Sequence, residues 1–472
     1  MKGFDNMFDK YIDNLKDEII SETQKLIQIP SVYSKSENPL YPFGENANKA
    51  LEYVLNLGKK LGFKTKNLDG YCGYIEFGEG EKLVGIVGHL DVVPEGDNWT
   101  FPPFSGNISD NKIFGRGAID DKGPVIASLY AMKAVMDNCK IDKRVRLILG
   151  LNEENDWKCI KYYKEHEELP TIGFSPDADF PCIYAEKGII SPYLNMDYSK
   201  FKSEDILLEN IDCNNNAINV VPKICSCILK INNKNISSKD IINNLKKIIS
   251  EHNYEIDIYK IDEQKIKLTS HGVQAHAAHP DLGINSISRL IIILDEIFKT
   301  YNTNIPIFDF FNKYINAQYN GQDLGIACED ESGNLTLNVG KFIFDNNILS
   351  IGMNLRVPIK TNLTDIEKTI QNQLSSYENI ELIIKGKKEP LYVPKNSYLV
   401  KTLCDIFNET TNSNLEPLAI GGATYARAFK NLISFGANLP NQEDMCHKTD
   451  EFISIDNLIL ATKIYAKAIY KI

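Results

Sequence analysis

The sequence predicts an α/β domain built on a mostly parallel sheet and interrupted by an inserted α+β domain of two related halves. Three observations carry this prediction. Apolar strand-like runs alternate with helical patterns as far as about Tyr184, the texture changes to longer strands joined to amphipathic helices from about Glu186, and helical patterns resume from about Leu391. With 472 residues, 43% of them hydrophobic, the chain has ample material for buried cores, which excludes disorder and fibrous structure.

Phe8, Ile12, Leu15, Ile19 and Leu26 recur at helical spacing and predict a first amphipathic helix that stops before Pro30. Residues 47–61 repeat the pattern, and Gly62 closes it. Residues 71–77 and 83–93 are β-rich, and the continuous apolar character of the second run suits a central strand. A helix over 122–136 and a buried strand over 145–151 continue the alternation. In the insertion, a strand over 218–231 precedes a helix with Ile241, Ile242, Leu245, Ile248 and Ile249 on one face, then a strand over 254–268 and a helix from Ile284. A second cycle follows, with a hairpin over 335–357 and a capping box from Thr364 to Glu367 ahead of Ile366, Ile370 and Leu374. The tail, with Gly421-Gly422 and Ser434-Phe435-Gly436, is expected to rejoin the first domain's sheet.

Charge and composition narrow the partners. With 52 basic and 63 acidic residues the net charge is -11, so nothing draws the chain to nucleic acid or anionic lipid. Asp5, Asp9, Asp13, Asp17, Glu18 and Glu22 argue against a secretory signal, and no apolar run approaches the ~20 residues needed to span a bilayer. The expectation is a soluble, cytoplasmic protein. Ten cysteines without a C-x-x-C pair are expected to be buried, reduced thiols, with Cys446 noted for its place beside His447.

Several short motifs could carry chemistry. Gly88-His89-Leu90-Asp91 closes a buried strand and puts His89 and Asp91 on one face, where a carboxylate could orient an imidazole. Gly115-Arg116-Gly117 leads through Asp120-Asp121 into a helix, a stretch that a capped turn also explains. The wholly apolar run 145–151 ends in Glu153-Glu154, whose side chains diverge, so that one could bind metal while the other holds a proton. Asp177 and Asp179, and His447 in Cys446-His447-Lys448-Thr449-Asp450-Glu451, also sit in loops. Together they form a mixed nitrogen and oxygen donor set that suits two Zn²⁺ or Mn²⁺ ions sharing a carboxylate.

In order and spacing these motifs, together with Ser175-Pro-Asp-Ala-Asp-Phe-Pro181, Tyr184-Ala-Glu-Lys-Gly188, Ala275-His276-Ala277, Gly421-Gly-Ala-Thr-Tyr425 and His447, resemble the M20 metallopeptidase family, most closely its PepV-like, carnosinase-like bacterial dipeptidases. The resemblance implies a zinc-peptidase-like catalytic domain of residues 1–185 and 391–472 with a lid of residues 186–390. It implies that His89, Asp120 and Asp177 hold one ion and Asp120, Glu154 and His447 the other, Zn²⁺ ahead of Mn²⁺, with Asp91 orienting His89. Glu153 would be the general base, His276 would donate to the oxyanion, Asn219 would contact substrate, and Arg356 would clamp the substrate's terminal carboxylate. It also implies a cis peptide between Asp120 and Asp121. Asn152 and Asn155-Asp156-Trp157 depart from the residues usual around the two glutamates. The expected activity is hydrolysis of dipeptides with free termini by a monomer, since two half-lids in one chain would supply what dimeric relatives draw from two subunits. The alternatives are an N-acyl-amino-acid or succinyl-diaminopimelate deacylase of the same family, and a non-catalytic peptide-binding scaffold.

Overall fold

The chain folds, in a computed structural model that describes residues 2–201 and 203–472, into two compact units. One comprises residues 1–185, 391–418 and 423–472, and the other residues 186–390 with 419–422. The short segment 419–422 thus leaves the 391–472 block in which the sequence placed it. The reason is local: Arg356 donates to the Gly421 carbonyl at 2.7 Å and the Lys187 amide to that of Ile420 at 2.9 Å.

The first unit is built on a mixed sheet. Its centre is parallel, with Arg144–Gly150, Leu83–His89, Ile172–Ser175 and Leu432–Ser434 side by side. Cys72–Gly78 and Lys64–Leu68 extend one side, and Ile183–Glu186 adds to the other, in antiparallel sense. All seven residues of Leu83–His89 are buried, as a continuous apolar run in a central parallel strand requires. The helix Lys122–Asn138 packs on this strand and against the helix Ile455–Lys471, which explains why it is apolar almost all round. The predicted first helix is two, Lys2–Asn14 and Lys16–Ile27, breaking at Leu15 while the apolar stripe continues through Phe8, Ile12, Ile19 and Leu26.

The second unit holds two antiparallel four-stranded sheets. One orders Thr336–Asp345, Ile348–Val357, Gly188–Asp197 and Ile380–Lys388; the other orders Ile206–Asp212, Ile224–Ile231, Lys265–His271 and Ile256–Lys260. Their inner faces and the helices Ser238–His252, Ser286–Thr300, Pro306–Tyr314 and Leu363–Gln373 share one apolar core. The strand expected over 254–268 is a hairpin, because Asp262-Glu263 turns the chain. The strand expected over 218–231 is also interrupted, into Val220–Val221 and Ile224–Ile231 around Pro222-Lys223. The helix expected to be capped at Thr364 is capped by Asn362, whose side chain accepts from the Thr364 amide.

One cysteine expectation is corrected here. Cys213 and Cys225 are joined by a disulfide, because the antiparallel register that pairs Asp212 with Ser226 sets the next residues outward face to face, with Cα atoms 4.2 Å apart. A spacing of 12 residues carries no sequence signature of such pairing.

Candidate metal centre

The candidate residues of the first unit meet at the carboxyl ends of its parallel strands, where α/β sheets place their ligands. Leu83–His89 ends on His89, Arg144–Gly150 runs into Asn152-Glu153-Glu154, and Ile172–Ser175 into Asp177. Asp120 precedes the helix Lys122–Asn138, and His447 comes from the loop before the last helix. Two glycines make the crowding feasible. A Cβ on Gly88 would lie 2.6 Å from Asp121 Oδ2, the oxygen that accepts from the His89 amide at 3.1 Å. A Cβ on Gly150 would lie 2.4 Å from the ring of Tyr425, which sits edge-on to His89 at 6.1 Å and to Trp157 at 5.3 Å.

Two groups of three donors form, sharing Asp120. His89 Nε2 lies 2.9 Å from Asp120 Oδ1 and 3.5 Å from Asp177 Oδ2. His447 Nε2 lies 3.0 Å from Asp120 Oδ2 and 2.9 Å from Glu154 Oε1. Within each group one ligand atom per residue falls inside 4.8 Å of the others. Donors held ~2.0–2.2 Å from a tetrahedral ion stand roughly 3.3–3.6 Å apart, so these separations suit ligands around a cation.

The donor chemistry agrees. His89 Nδ1 donates to the Asp91 carbonyl at 3.0 Å, which fixes the tautomer with Nε2 as the ligating nitrogen. Nε2 is fully buried and makes no hydrogen bond despite its carboxylate neighbours. Five acids, Asp91, Asp120, Glu153, Glu154 and Asp177, face two imidazoles, leaving negative charge that a divalent cation would compensate. Their titration reflects this crowding. Desolvation opposes charge on His447, but Asp120 and Glu154 outweigh it and raise its pKa to about 11. Desolvation also raises Glu154 and Asp177, with Asp120 adding to both. Glu153 is lifted well above the carboxylate range by desolvation, with Glu154, Asp177 and Asp91 adding to the effect and His89 opposing it.

Asp91 does more than the sequence expected. Its carbonyl holds His89, whereas its carboxylate, 3.5 Å from Nδ1, accepts the amides of Glu153 at 3.0 Å and Glu154 at 3.1 Å. The departures around the glutamates have backbone roles. Asn152 Oδ1 accepts the Lys158 amide at 3.1 Å, and the Trp157 indole donates to the Glu153 carbonyl at 2.8 Å, from a residue in the left-handed region at φ 60°. The Asp120–Asp121 peptide is cis. Desolvation keeps Cys446 a neutral thiol, with Asp120, Asp444, Asp177 and Glu451 reinforcing it.

Three candidates lie in the second unit. His276, exposed, pairs with Val220 across a two-residue ladder, and Asn219 accepts the Ala277 amide through its carbonyl at 2.9 Å. Arg356 is buried, with Nε on Asn354 Oδ1 at 2.8 Å and Nη1 on Gly421 O at 2.7 Å. The sequence did not reveal Asp121, Trp157, Arg116 or Glu451 as partners of the cluster. Only the proximity of the quoted motifs hinted at them.

Strand-end histidine, paired acids and a shared aspartate together define a candidate dinuclear centre on an α/β frame. The family model described as Peptidase family M20/M25/M40 matches residues 85–471, and the chain belongs to that family. A protein of Bacillus subtilis (strain 168) named "Putative dipeptidase YtjP" is 37% identical over 461 residues, covering 97% of each chain. A Staphylococcus epidermidis protein of like designation is 34% identical, with 98% of this chain and 99% of that one covered. In fold, the chain is similar to human carnosine dipeptidase 1 (TM-score 0.60, 14% identity, 99% and 98% covered) and to the di-peptidase Dug1p of Saccharomyces cerevisiae (TM-score 0.59, 12% identity, 99% and 98% covered). Among the described residues, no helix is long and apolar enough to cross a membrane.

Proposed function

We propose that the protein is a metal-dependent dipeptidase that hydrolyses the peptide bond of dipeptides with free termini. The observation that carries this reading is Asp120, whose two oxygens face two imidazoles in overlapping donor groups, with Glu153 on the adjoining turn. His89, Asp120 and Asp177 would hold one divalent ion and Asp120, Glu154 and His447 the other. Zn²⁺ is proposed ahead of Mn²⁺, because imidazole nitrogen and carboxylate oxygen in small clusters suit it. Such ions, when bound, supply positive charge that polarises the scissile carbonyl and acidifies water.

Glu153 is the general base of this proposal: its carboxylate takes a proton from the attacking water and returns it to the leaving amine. Asp91 holds the turn through both glutamate amides, so base and ligand diverge from one fixed backbone. From the second unit we assign His276 to the oxyanion, Asn219 to a substrate contact and Arg356 to the terminal carboxylate. The reading includes residues 1–185 and 391–472 as the catalytic part, the rest as a lid, and a cytoplasmic monomer.

The test is cleavage of free dipeptides before and after chelation, with Zn²⁺ and Mn²⁺ restored separately. Metal-restored cleavage is expected, with N-acylated amino acids untouched. Cleavage of N-acylated amino acids alone would overturn the dipeptide assignment, and failure to bind metal would overturn the whole reading. Sedimentation of the active species is expected to give one chain.

A further inference from the structure

We propose that the buried ion pair between Arg116 and Glu451 positions Asp120 and His447, and so sets the geometry of the second ion's site; this rests on the metal-dependent reading above. Neither residue reaches the donor groups with its own ligand atoms. Both act on backbone. Glu451 Oε2 receives Arg116 Nη1 at 2.7 Å, while Oε1 accepts the amides of Ile119 at 3.0 Å and Asp120 at 3.3 Å. Arg116 in turn donates to the carbonyls of Lys448 at 3.1 Å, His447 at 3.4 Å, Glu95 at 3.1 Å and Pro94 at 3.4 Å. Its guanidinium lies 5.2 Å from the Trp99 ring. One pair therefore grips the two chain segments that carry Asp120 and His447.

The two donor groups differ in how much they need such a grip. His89 and Asp177 follow directly from parallel strands, and Asp91 O locks the His89 ring. His447 has a half-exposed side chain on a loop in which His447 and Asp450 both adopt left-handed conformations, at φ 63° and 59°. Such residues persist where the surroundings over-determine them. Burying an ion pair is weakly stabilising at best, so its value here lies in geometry. Partners that orient ligands from outside the coordination shell alter metal affinity roughly tenfold to a hundredfold.

The test uses Glu451→Gln, which keeps an acceptor for the two amides but loses the charge opposite Arg116, and Arg116→Lys, which keeps the charge but loses the fork. Chelated full-length protein is titrated with Zn²⁺ against an indicator, and kcat and KM for a dipeptide are measured at limiting and excess Zn²⁺. Wild type should bind two ions. Each variant should weaken the ion held through Asp120, Glu154 and His447 tenfold to a hundredfold and the ion that shares Asp120 with His89 and Asp177 by less, with kcat depressed at limiting Zn²⁺, recovering in excess, and KM unchanged. Equal weakening of both ions, no weakening of either, or loss of folded circular dichroism in both chelated variants would overturn the assignment, the last because a purely structural pair would behave so. If wild type itself binds no pair of ions or cleaves no dipeptide, the functional reading falls and this inference with it.

Discussion

Asp120 offers one oxygen to His89 and the other to His447, and a single backbone turn, held by Asp91, carries Glu153 and Glu154 to different tasks. Removing either glutamate should therefore give distinct defects. Glu153→Ala is expected to keep two Zn²⁺ per chain and lose roughly 10²- to 10⁴-fold in kcat, the range for a general base; Glu154→Ala is expected to lose an ion as well as rate. Metal analysis of the purified variants beside their kinetics checks this, and reversed behaviour would exchange the two roles. Most of the cluster was legible in sequence because His89, Glu153, Glu154 and Asp177 follow apolar strands and Asp120 precedes a helix, positions that converge at one sheet edge, whereas His447 comes from a loop. Asp91's grip on the glutamate amides was not legible, nor were the contacts of Trp157 and Arg116 with carbonyls. Hydrogen bonds to backbone constrain no partner residue type, so they leave no pattern along the chain.

Elements that are apolar throughout were read correctly, and those with weak punctuation were not. The central strand and the helix over 122–136 show up as continuous apolar runs, observed as Leu83–His89 and Lys122–Asn138. The hairpin through Asp262-Glu263 was hidden because Ile256, Ile258 and the residues beyond keep a strand-like alternation into the turn. At the other end of an element, Lys143 carries a measurable consequence. It is buried and donates to the Tyr470 carbonyl in the last turn of the final helix at 3.0 Å, and burial, with Lys82 nearby, lowers its pKa from 10.5 to about 8. The unfolded chain keeps the proton up to about 10.5 and the folded one releases it near 8, so stability should rise with pH across that window. Lys143→Met should be more stable than wild type at pH 7 by on the order of 1 kcal/mol, after solvent screening and the lost hydrogen bond are deducted. The advantage should shrink between pH 8 and 10.5. Denaturant titrations across that range would reveal an unchanging difference if the lysine were not the cause.

At the scale of the molecule, the changes of texture near Glu186 and Leu391 fall at bounds of the two compact units. The excursion of 419–422 into the second unit was not legible in sequence, because it depends on the Gly421 carbonyl and Ile420 backbone pairing and on no residue pattern. The second unit has its own apolar core, and the candidate donor groups lie wholly in the first. Chelation should therefore lower the unfolding temperature of the first unit and leave the second nearly unmoved. Restoring Zn²⁺ at a hundred times its Kd should return about 2.7 kcal/mol. Scanning calorimetry should then resolve two transitions after chelation, and a single transition shifting as a whole would contradict it. The chain's two tryptophans add an optical consequence: Trp99 lies beneath Arg116 and Trp157 donates to Glu153, so both indoles belong to the surroundings of the donor groups. Intrinsic emission excited at the red edge of protein absorption is therefore a label-free reporter of that neighbourhood, silent about the disulfide-bearing unit, and it can follow ion loading in the unmodified chain.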